Sequence, residues 1–401
     1  MRRSLGVSAL WAGLGVVAYT YLGYPVLIAL AAMVAGDRRP EPTEPAPGGL
    51  PTMTVVIPAL DEEAVIERKL NDTLAQDYPD GLLEVVVVAD GSSDRTAELA
   101  GRRPGVRVLW AAERLGKVAA VNRGVATARG DLVCLTDANC SLAPGALRAL
   151  AAGFRDPATA VVGGAKAVVG AGARGRGEGM YWRLESRIKG WEAALGGAVG
   201  APGEICGVRR AAFRPIPPGV INDDYHLTCD ALVRGLRVGY APGAVAVEEV
   251  SGGVAEELER RSRIAAGTWQ TTLAHLRLAD PRRGWVAVAF LSHRVLRSVV
   301  VPPLLPVLLV ASGRLASRSR AAGALFAAQA GGYGTALVGG FTDHRRAAAV
   351  FQLVLTNVAT LRGAWRYCTG RQPVAWRRVR RGAWRAAGEV TPAGTAPPGP
   401  R

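Results

Sequence analysis

The sequence predicts an α/β domain set between membrane-spanning helices, and three observations predict it. Between Thr54 and about Ala279, near-continuous apolar runs of strand length alternate with helical stretches. Such runs mark strands buried on both faces of a parallel sheet with helices covering each side. Uncharged stretches long enough to cross a bilayer flank that region, Val7 to Ala35 before it and others beyond Trp285. The third observation is composition: 401 residues at 49% hydrophobic supply core for two or three domains and exclude general disorder.

At the N-terminus, Arg2 and Arg3 precede the uncharged run, and Tyr19, Tyr21 and Tyr24 suit a membrane interface. A cleaved signal peptide is the rival, but its apolar core spans only about 7–15 residues and closes at a small-residue site this run lacks. Residues 1–36 therefore read as an anchor. Pro40 to Pro51 holds five prolines in twelve residues, so 37–52 reads as a stiff linker. Thr54–Ile57, Leu83–Val88, Val106–Leu109 and Leu132–Leu135 are the strands expected within the α/β domain, 53–283. Ligands of such sheets gather at the strands' carboxyl ends.

Residues 284–365 return to membrane character. Phe290 to Arg297 mixes apolar side chains with His293, Arg294 and Arg297, as an interfacial helix does. Val299–Ser312, Ala321–Phe341 and Ala347–Leu361 follow. Three spans after a cytosolic domain would leave the Arg-rich tail, 366–401, outside, against the positive-inside tendency. Ala347–Leu361 is short and carries Gln352, Thr356 and Asn357, so it is the stretch expected to lie in the interface. The chain thus reads as a multi-pass protein of the cell (inner or plasma) membrane with its α/β domain in the cytosol.

Five scattered cysteines, with no CxxC pair, exclude a disulfide framework and a zinc finger and point to a reducing compartment. The net charge is +16, but nine Arg against one Glu between Arg362 and Arg401 supply +8 of it. That distribution fits anionic lipid headgroups better than nucleic acid.

Carboxylates follow successive strands. The first strand runs into Asp61-Glu62-Glu63 and the second into Asp90-Gly91-Ser92-Ser93-Asp94. Asp90 is of the type that accepts hydrogen bonds from a base imide or ribose hydroxyl; Asp61 and Asp94 serve equally as helix caps, with Gly91 in the turn. Lys117 after Gly116 opens a helix of small residues, where an ammonium and the helix dipole together can meet a diphosphate. Asp137 and Asn139 follow the fourth strand on alternate positions, so both can face one divalent ion with oxygen ligands. Asp223 and Asp224 open a further helix, and a base that takes a proton from a sugar hydroxyl needs such a carboxylate. Spacing leaves open which of the two it is. In Glu256 to Arg263, pairs such as Glu256–Arg260 and Glu259–Arg263 support a helix on which Arg260 and Arg263 share a face able to clamp a phosphate.

In this order the motifs resemble the family 2 inverting glycosyltransferases, in particular the membrane-embedded members related to cellulose, chitin and hyaluronan synthases. The likeness covers roughly Thr54 to Arg297. It implies a GT-A fold, a Rossmann-like mixed and mainly parallel sheet between helices. It also implies Asp61, Glu62 and Asp90 as nucleotide-binding acids, Lys117 as a donor-diphosphate contact, and Asp137-Ala138-Asn139 as the Asp-x-Asp that holds Mg²⁺ or Mn²⁺. Asn222-Asp223-Asp224 matches Thr-Glu-Asp, which makes Asp224 the catalytic base and sets Asp223 beside the acceptor; Gly203 matches a glycine lining the acceptor site. Arg260 to Ile264 matches Gln-x-x-Arg-Trp.

Three departures accompany the match. Asn139 replaces an Asp, Arg260 replaces Gln, and Ile264 replaces the Trp that supports the acceptor sugar in processive synthases. Single addition is therefore expected over long-chain polymerisation. The reaction expected is transfer from a nucleotide-diphosphate sugar, most readily a UDP-sugar, to a hydroxyl of a glycan or lipid-linked acceptor at the bilayer. A polyprenyl-phosphate sugar synthase and a non-catalytic membrane scaffold or export subunit are the rival readings.

Overall fold

The computed structural model describes residues 2–36, 49–169, 172–249, 253–342 and 344–373. Most of the predicted linker and of the basic tail lies outside them. The α/β region forms one eight-stranded sheet: β1 Met53–Ala59, β2 Leu83–Asp90, β3 Val106–Ala111, β4 Leu132–Leu135, β5 Ser141–Leu142, β6 Thr159–Val169, β7 Cys206–Arg209 and β8 Arg237–Glu249. Its order is β3-β2-β1-β4-β7-β6-β8-β5.

The first four strands run parallel, β7 lies antiparallel between β4 and β6, β6 and β8 pair parallel, and β5 closes the edge antiparallel to β8. This is the mixed, mainly parallel sheet expected, with a Rossmann-like half and a second half the apolar runs did not announce. Val55, Val56, Ile57 and Val85 to Val88 are buried, as strands sandwiched between helices require. Successive side chains alternate between two apolar layers, one holding Val56, Val86 and Val88, the other Val55, Ile57, Val85 and Val87.

Three helices are long and apolar enough to cross a membrane: Gly6–Val34, Trp285–Leu315 and Arg346–Cys368. The stretch Ala347–Leu361, expected at the interface, lies within one continuous helix, Arg345–Cys368. The Arg320–Phe341 helix is not among the three, because six glycines and Gln329 dilute its hydropathy. Phe290 to Arg297 lies inside the long Trp285–Leu315 run, with Phe290, Ser292 and His293 buried against the α/β domain.

A buried polar joint ties these helices to the domain. His293 places Nδ1 2.7 Å from Glu192 Oε1 and Nε2 3.0 Å from Glu185 Oε1, both on helix Gly172–Ala194. With acceptors at both nitrogens, the ring donates from each only as the imidazolium. Tyr24 Oη of the N-terminal helix donates to Glu192 (2.6 Å), and Arg297 donates to Glu185 (3.0 Å). Burial alone would raise the Glu185 carboxyl, but His293 and Arg297 overcome it and hold the group well below its usual range.

The Arg345–Cys368 helix packs closely on helix Val254–Ala274. A Cβ at Gly363 would strike the Ser262 carbonyl oxygen and stand 2.7 Å from Ala265 Cβ. Gly363→Ala is therefore expected to destabilise the protein by about 1–3 kcal/mol through overpacking. Thermal unfolding in detergent checks this, and an unchanged midpoint refutes the close crossing.

Candidate active site

A cavity of about 1250 Å³ opens at the carboxyl ends of the central strands. Of the residues singled out in the sequence, it brings together Glu62, Lys117, Asp137, Asn139, Gly203, Asp223, Asp224, Arg260 and Arg263. Asp61 and Asp90 are not among its lining residues.

Their positions explain why. Asp61 is the one described non-glycine residue in the left-handed region, at φ 52°, and its Oδ1 accepts from Ser93 N (2.8 Å) and Ser93 Oγ (3.2 Å). It thereby fastens the loop after β1 to the loop after β2. Asp90 is 1% exposed and accepts from Leu115 N, Gly116 N (2.6 Å) and Arg123 Nη2 (2.5 Å). Those bonds hold the turn that delivers Lys117. Asp94 caps as expected, accepting from Thr96 N (2.9 Å) and Glu63 N (3.0 Å).

Lys117 opens helix Lys117–Thr127 and reaches the centre of the cavity. Its Nζ stands 3.0 Å from Asp137 Oδ1 and 3.3 Å from Asp223 Oδ1. Burial alone would lower its pKa, yet Asp137, Asp223 and Asp224 reverse that and keep the ammonium charged. Asp223 and Asp224 form the first turn of helix Asp223–Val233, where the dipole favours negative charge. Asn222, just before them, donates to Ile264 O (2.9 Å) and so pins this helix start to helix Val254–Ala274. A Cβ on Gly203 would lie 3.4 Å from Asp224 Oδ2 and 3.7 Å from Lys117 Nζ, which places this backbone directly beside the acid and the ammonium.

The Asp224 carboxyl is pushed up to about 7, first by burial and then by Asp223, with Lys117 opposing. It is thus poised near neutrality, where a general base works best.

The arginines part company. The expected pairs Glu256–Arg260 and Glu259–Arg263 give way to others: Arg260 pairs with Glu257 (2.9 Å), and Glu259 turns to Arg362 (3.0 Å) and Arg366 (2.6 Å) of the C-terminal helix. Arg263 is left facing Asp223 and Asp137 with its Nε buried and unbonded. It makes no ion pair among the described residues, so its guanidinium is available to an anion in the cavity.

Asn139 Oδ1 is likewise buried without a partner. With the Asp137 carboxylate it makes two oxygen donors, the chemistry a hard divalent cation prefers. No cluster of three or more His, Cys, Asp or Glu suited to a metal occurs among the described residues. The residues fit a cation that takes the rest of its shell from a bound ligand.

Residues not anticipated from sequence complete the site. Buried Lys69 donates to Thr136 Oγ1 (2.8 Å) and Cys140 O (3.0 Å), bracing the Asp137–Asn139 loop from beneath. Lys166 pairs with both Glu204 and Glu248 on the cavity wall. Gln352, Thr356, Asn357 and Thr360 of the C-terminal helix also line the cavity. Their spacing of about four residues in an apolar run was the available signal for a polar helix face.

Residues 54–216 match the family described as Glycosyl transferase family 2. The match spans less than half of the chain and covers the parallel half of the sheet with β6 and β7. It is 28% identical over 251 residues to an N-acetylglucosaminyltransferase of Rhizobium sp. (strain N33), covering 57% of this chain and 55% of that protein. Against an N-acetylglucosaminyltransferase of Mesorhizobium japonicum it is 30% identical over 255 residues, 57% of this chain and 58% of the relative. The chain thus spans little more than half the length of these relatives. A solved mannosyltransferase from Pyrobaculum calidifontis, in complex with GDP-Man and Mn²⁺, shares the fold at a TM-score of 0.72 and 23% identity, over 90% of this chain and 99% of that one.

Because the raised Asp224 pKa stabilises the protonated form in the folded state, this group's contribution to stability is complete below the usual carboxylate range and is lost as pH rises through about 7. Asp224→Asn is therefore expected to be more stable than the parent above pH 7, by up to about 4 kcal/mol for a three-unit shift, with the gap closing towards pH 4. Denaturation across that range checks the sign; a less stable variant at pH 8 contradicts it.

Proposed function

We propose that this chain is a membrane-bound inverting glycosyltransferase that moves one sugar from a nucleotide-diphosphate donor, a UDP-sugar, to an acceptor hydroxyl in glycan or glycolipid synthesis. The observation that carries the reading is Arg263, a cavity-lining guanidinium without an ion pair among the described residues, facing the same Asp223 and Asp137 that Lys117 meets, in a cavity that also holds a carboxyl poised near pH 7. A cationic pair and a base on two sides of one cavity is what single displacement at an anomeric carbon needs.

In this reading Asp224 takes the acceptor hydroxyl proton as the acceptor oxygen bonds to the anomeric carbon from the face opposite the diphosphate. The bond to the leaving oxygen breaks with its electron pair, and Arg263 and Lys117 stabilise the charge that develops there. Glu62 contacts the nucleotide from the cavity, while Asp61 and Asp90 act through the loops they fasten. Arg260, held by Glu257, supports Arg263 on the donor side; Asp223 and Gly203 shape the acceptor side. Asp137 and Asn139 would hold Mg²⁺ or Mn²⁺, which when bound neutralises diphosphate charge.

The names of the relatives make N-acetylglucosamine the first donor sugar to test, and that of the fold neighbour makes mannose the second. The domain layout proposed is an anchor at 1–36, a linker at 37–52, the catalytic domain at 53–283, membrane helices within 284–365 and a basic tail at 366–401. The catalytic domain faces the cytosol of the cell membrane. Kinship to the cellulose, chitin and hyaluronan synthases without their processivity is supported by Ile264 at the cavity, 43% exposed where those enzymes stack an acceptor sugar on Trp.

Two outcomes test this. Asp224→Asn should reduce transfer about 10²–10⁴-fold, the usual worth of a general base, while the dissociation constant for UDP stays within a few-fold. Wild-type kcat/KM should rise with pH to a plateau above about 7, because the base works deprotonated. Separately, Arg263→Met should weaken UDP binding about ten- to a hundredfold, the value of a charge-assisted contact. Isothermal titration reads it, and equal affinity removes Arg263 from the donor site.

A further inference from the structure

The same cavity has a second cationic corner, away from Arg263, that the donor reading does not use. Lys189 lies on helix Gly172–Ala194, is 6% exposed, and lines the cavity. It makes no hydrogen bond or ion pair among the described residues; its only near neighbour of note is the Trp182 ring, 5.8 Å from Nζ to centroid. Arg294 lines the same wall, its Nε donating to Val199 O (2.7 Å) and its guanidinium stacked 4.6 Å over the Tyr225 ring, next to Asp224. Two of the carboxylates that face Lys189 are engaged elsewhere, Glu185 by His293 and Arg297, Glu192 by His293, Tyr24 and Val199 N, which leaves Asp224 as the third.

A buried ammonium without a counter-ion costs several kcal/mol, so such a group is kept where something pairs with it. Burial lowers the Lys189 pKa, and Arg294 lowers it further, while Glu185 and Asp224 pull the other way. An incoming anion would relieve that conflict. Asp224 acts on both Lys117 and Lys189, so a group bound at Lys189 lies within reach of the base, and the donor reading assigns Lys117 to the other ligand.

We propose that Lys189 and Arg294 form an anion subsite for the acceptor, and that the acceptor carries a phosphate or carboxylate close to its reacting oxygen. This rests on the transferase reading and names its acceptor class. Arg294 also anchors backbone, so Lys189 is the residue to vary.

The test uses the full chain in detergent, with saturating UDP to fill the donor side. Inorganic phosphate and glucuronate, run as separate arms, should each be scored by the shift in thermal midpoint. At least one should stabilise the wild-type protein, with about tenfold weaker apparent affinity in Lys189→Met and recovery in Lys189→Arg. The arm that responds distinguishes a phosphorylated acceptor from a sugar acid. Acceptor pairs then read turnover: a hydroxyalkyl phosphate against the matching diol, and an alkyl glucuronide against the alkyl glucoside. The anionic member should win by about tenfold in wild type, and Lys189→Met should erase that preference by raising KM. Equal effects of Lys189→Met on charged and neutral acceptors, or anion shifts identical in wild type and Lys189→Met, overturn the proposal. Loss of UDP binding itself would instead count against the transferase reading, and the anion shifts measured without UDP still decide the subsite.

Discussion

The site depends on one buried ammonium. Lys117 Nζ faces Asp137 and Asp223 at 3.0 and 3.3 Å, with Asp224 near enough to raise its pKa as well. Within this cluster, three carboxylates against Lys117 and Arg263 leave one negative charge in excess. The excess is resolved at Asp224, whose carboxyl takes up a proton near pH 7. Remove Lys117 and the carboxylates repel one another in low dielectric, a penalty of several kcal/mol per uncompensated ion. A donor diphosphate arriving with a divalent cation adds no net charge. The balance that sets Asp224 near neutrality in the free protein would therefore survive donor binding.

Everything that places Lys117 follows from the order of strands. β1, β2 and β4 are neighbours, so the loops at their carboxyl ends share one crevice. Asp90 accepts from Leu115 N and Gly116 N in the turn before Lys117 and from Arg123 on the helix after it, and Lys69 braces the loop that carries Asp137 from within the core. A charged side chain committed to backbone in this way fixes a loop more firmly than an apolar contact, since breaking the bonds strands a buried charge.

The parallel half of the sheet was legible because its strands are apolar on both faces and end at acids. The other half was not. β6 contains Gly163 and Gly164, where added Cβ atoms would meet Ala201 and Ala244, so close backbone approach replaces bulky apolar residues. β8 is interrupted by Pro242-Gly243 and carries a register shift against β6. At the site, residue types and order were readable, but their partners were not. Asp61 and Asp90 look alike as strand-end acids, and sequence gives no sign of the tertiary donors at Ser93, Leu115, Gly116 and Arg123 that tie them to neighbouring loops. Arg263 looks paired with Glu259 on the helix until the C-terminal helix supplies Arg362 and Arg366 and draws Glu259 away.

That last exchange shows what the C-terminal helix does for the cavity. The Arg345–Cys368 helix takes Glu259 by two arginines, takes Arg261 through Thr356, and turns Gln352 and Thr360 towards the cavity. Its polar residues, which argue against a simple lipid-facing span, are explained by the cavity they wall. Because Glu259 is engaged elsewhere, Arg263 stays unpaired, and the donor-side charge exists only while the C-terminal helix is docked. The His293 joint engages Glu185 and Glu192 in the same way, so that neither pairs with Lys189. Arg263 and Lys189 thus both stand near acids that neighbouring helices engage, and the charge pattern of the cavity follows from how those helices pack on the α/β domain.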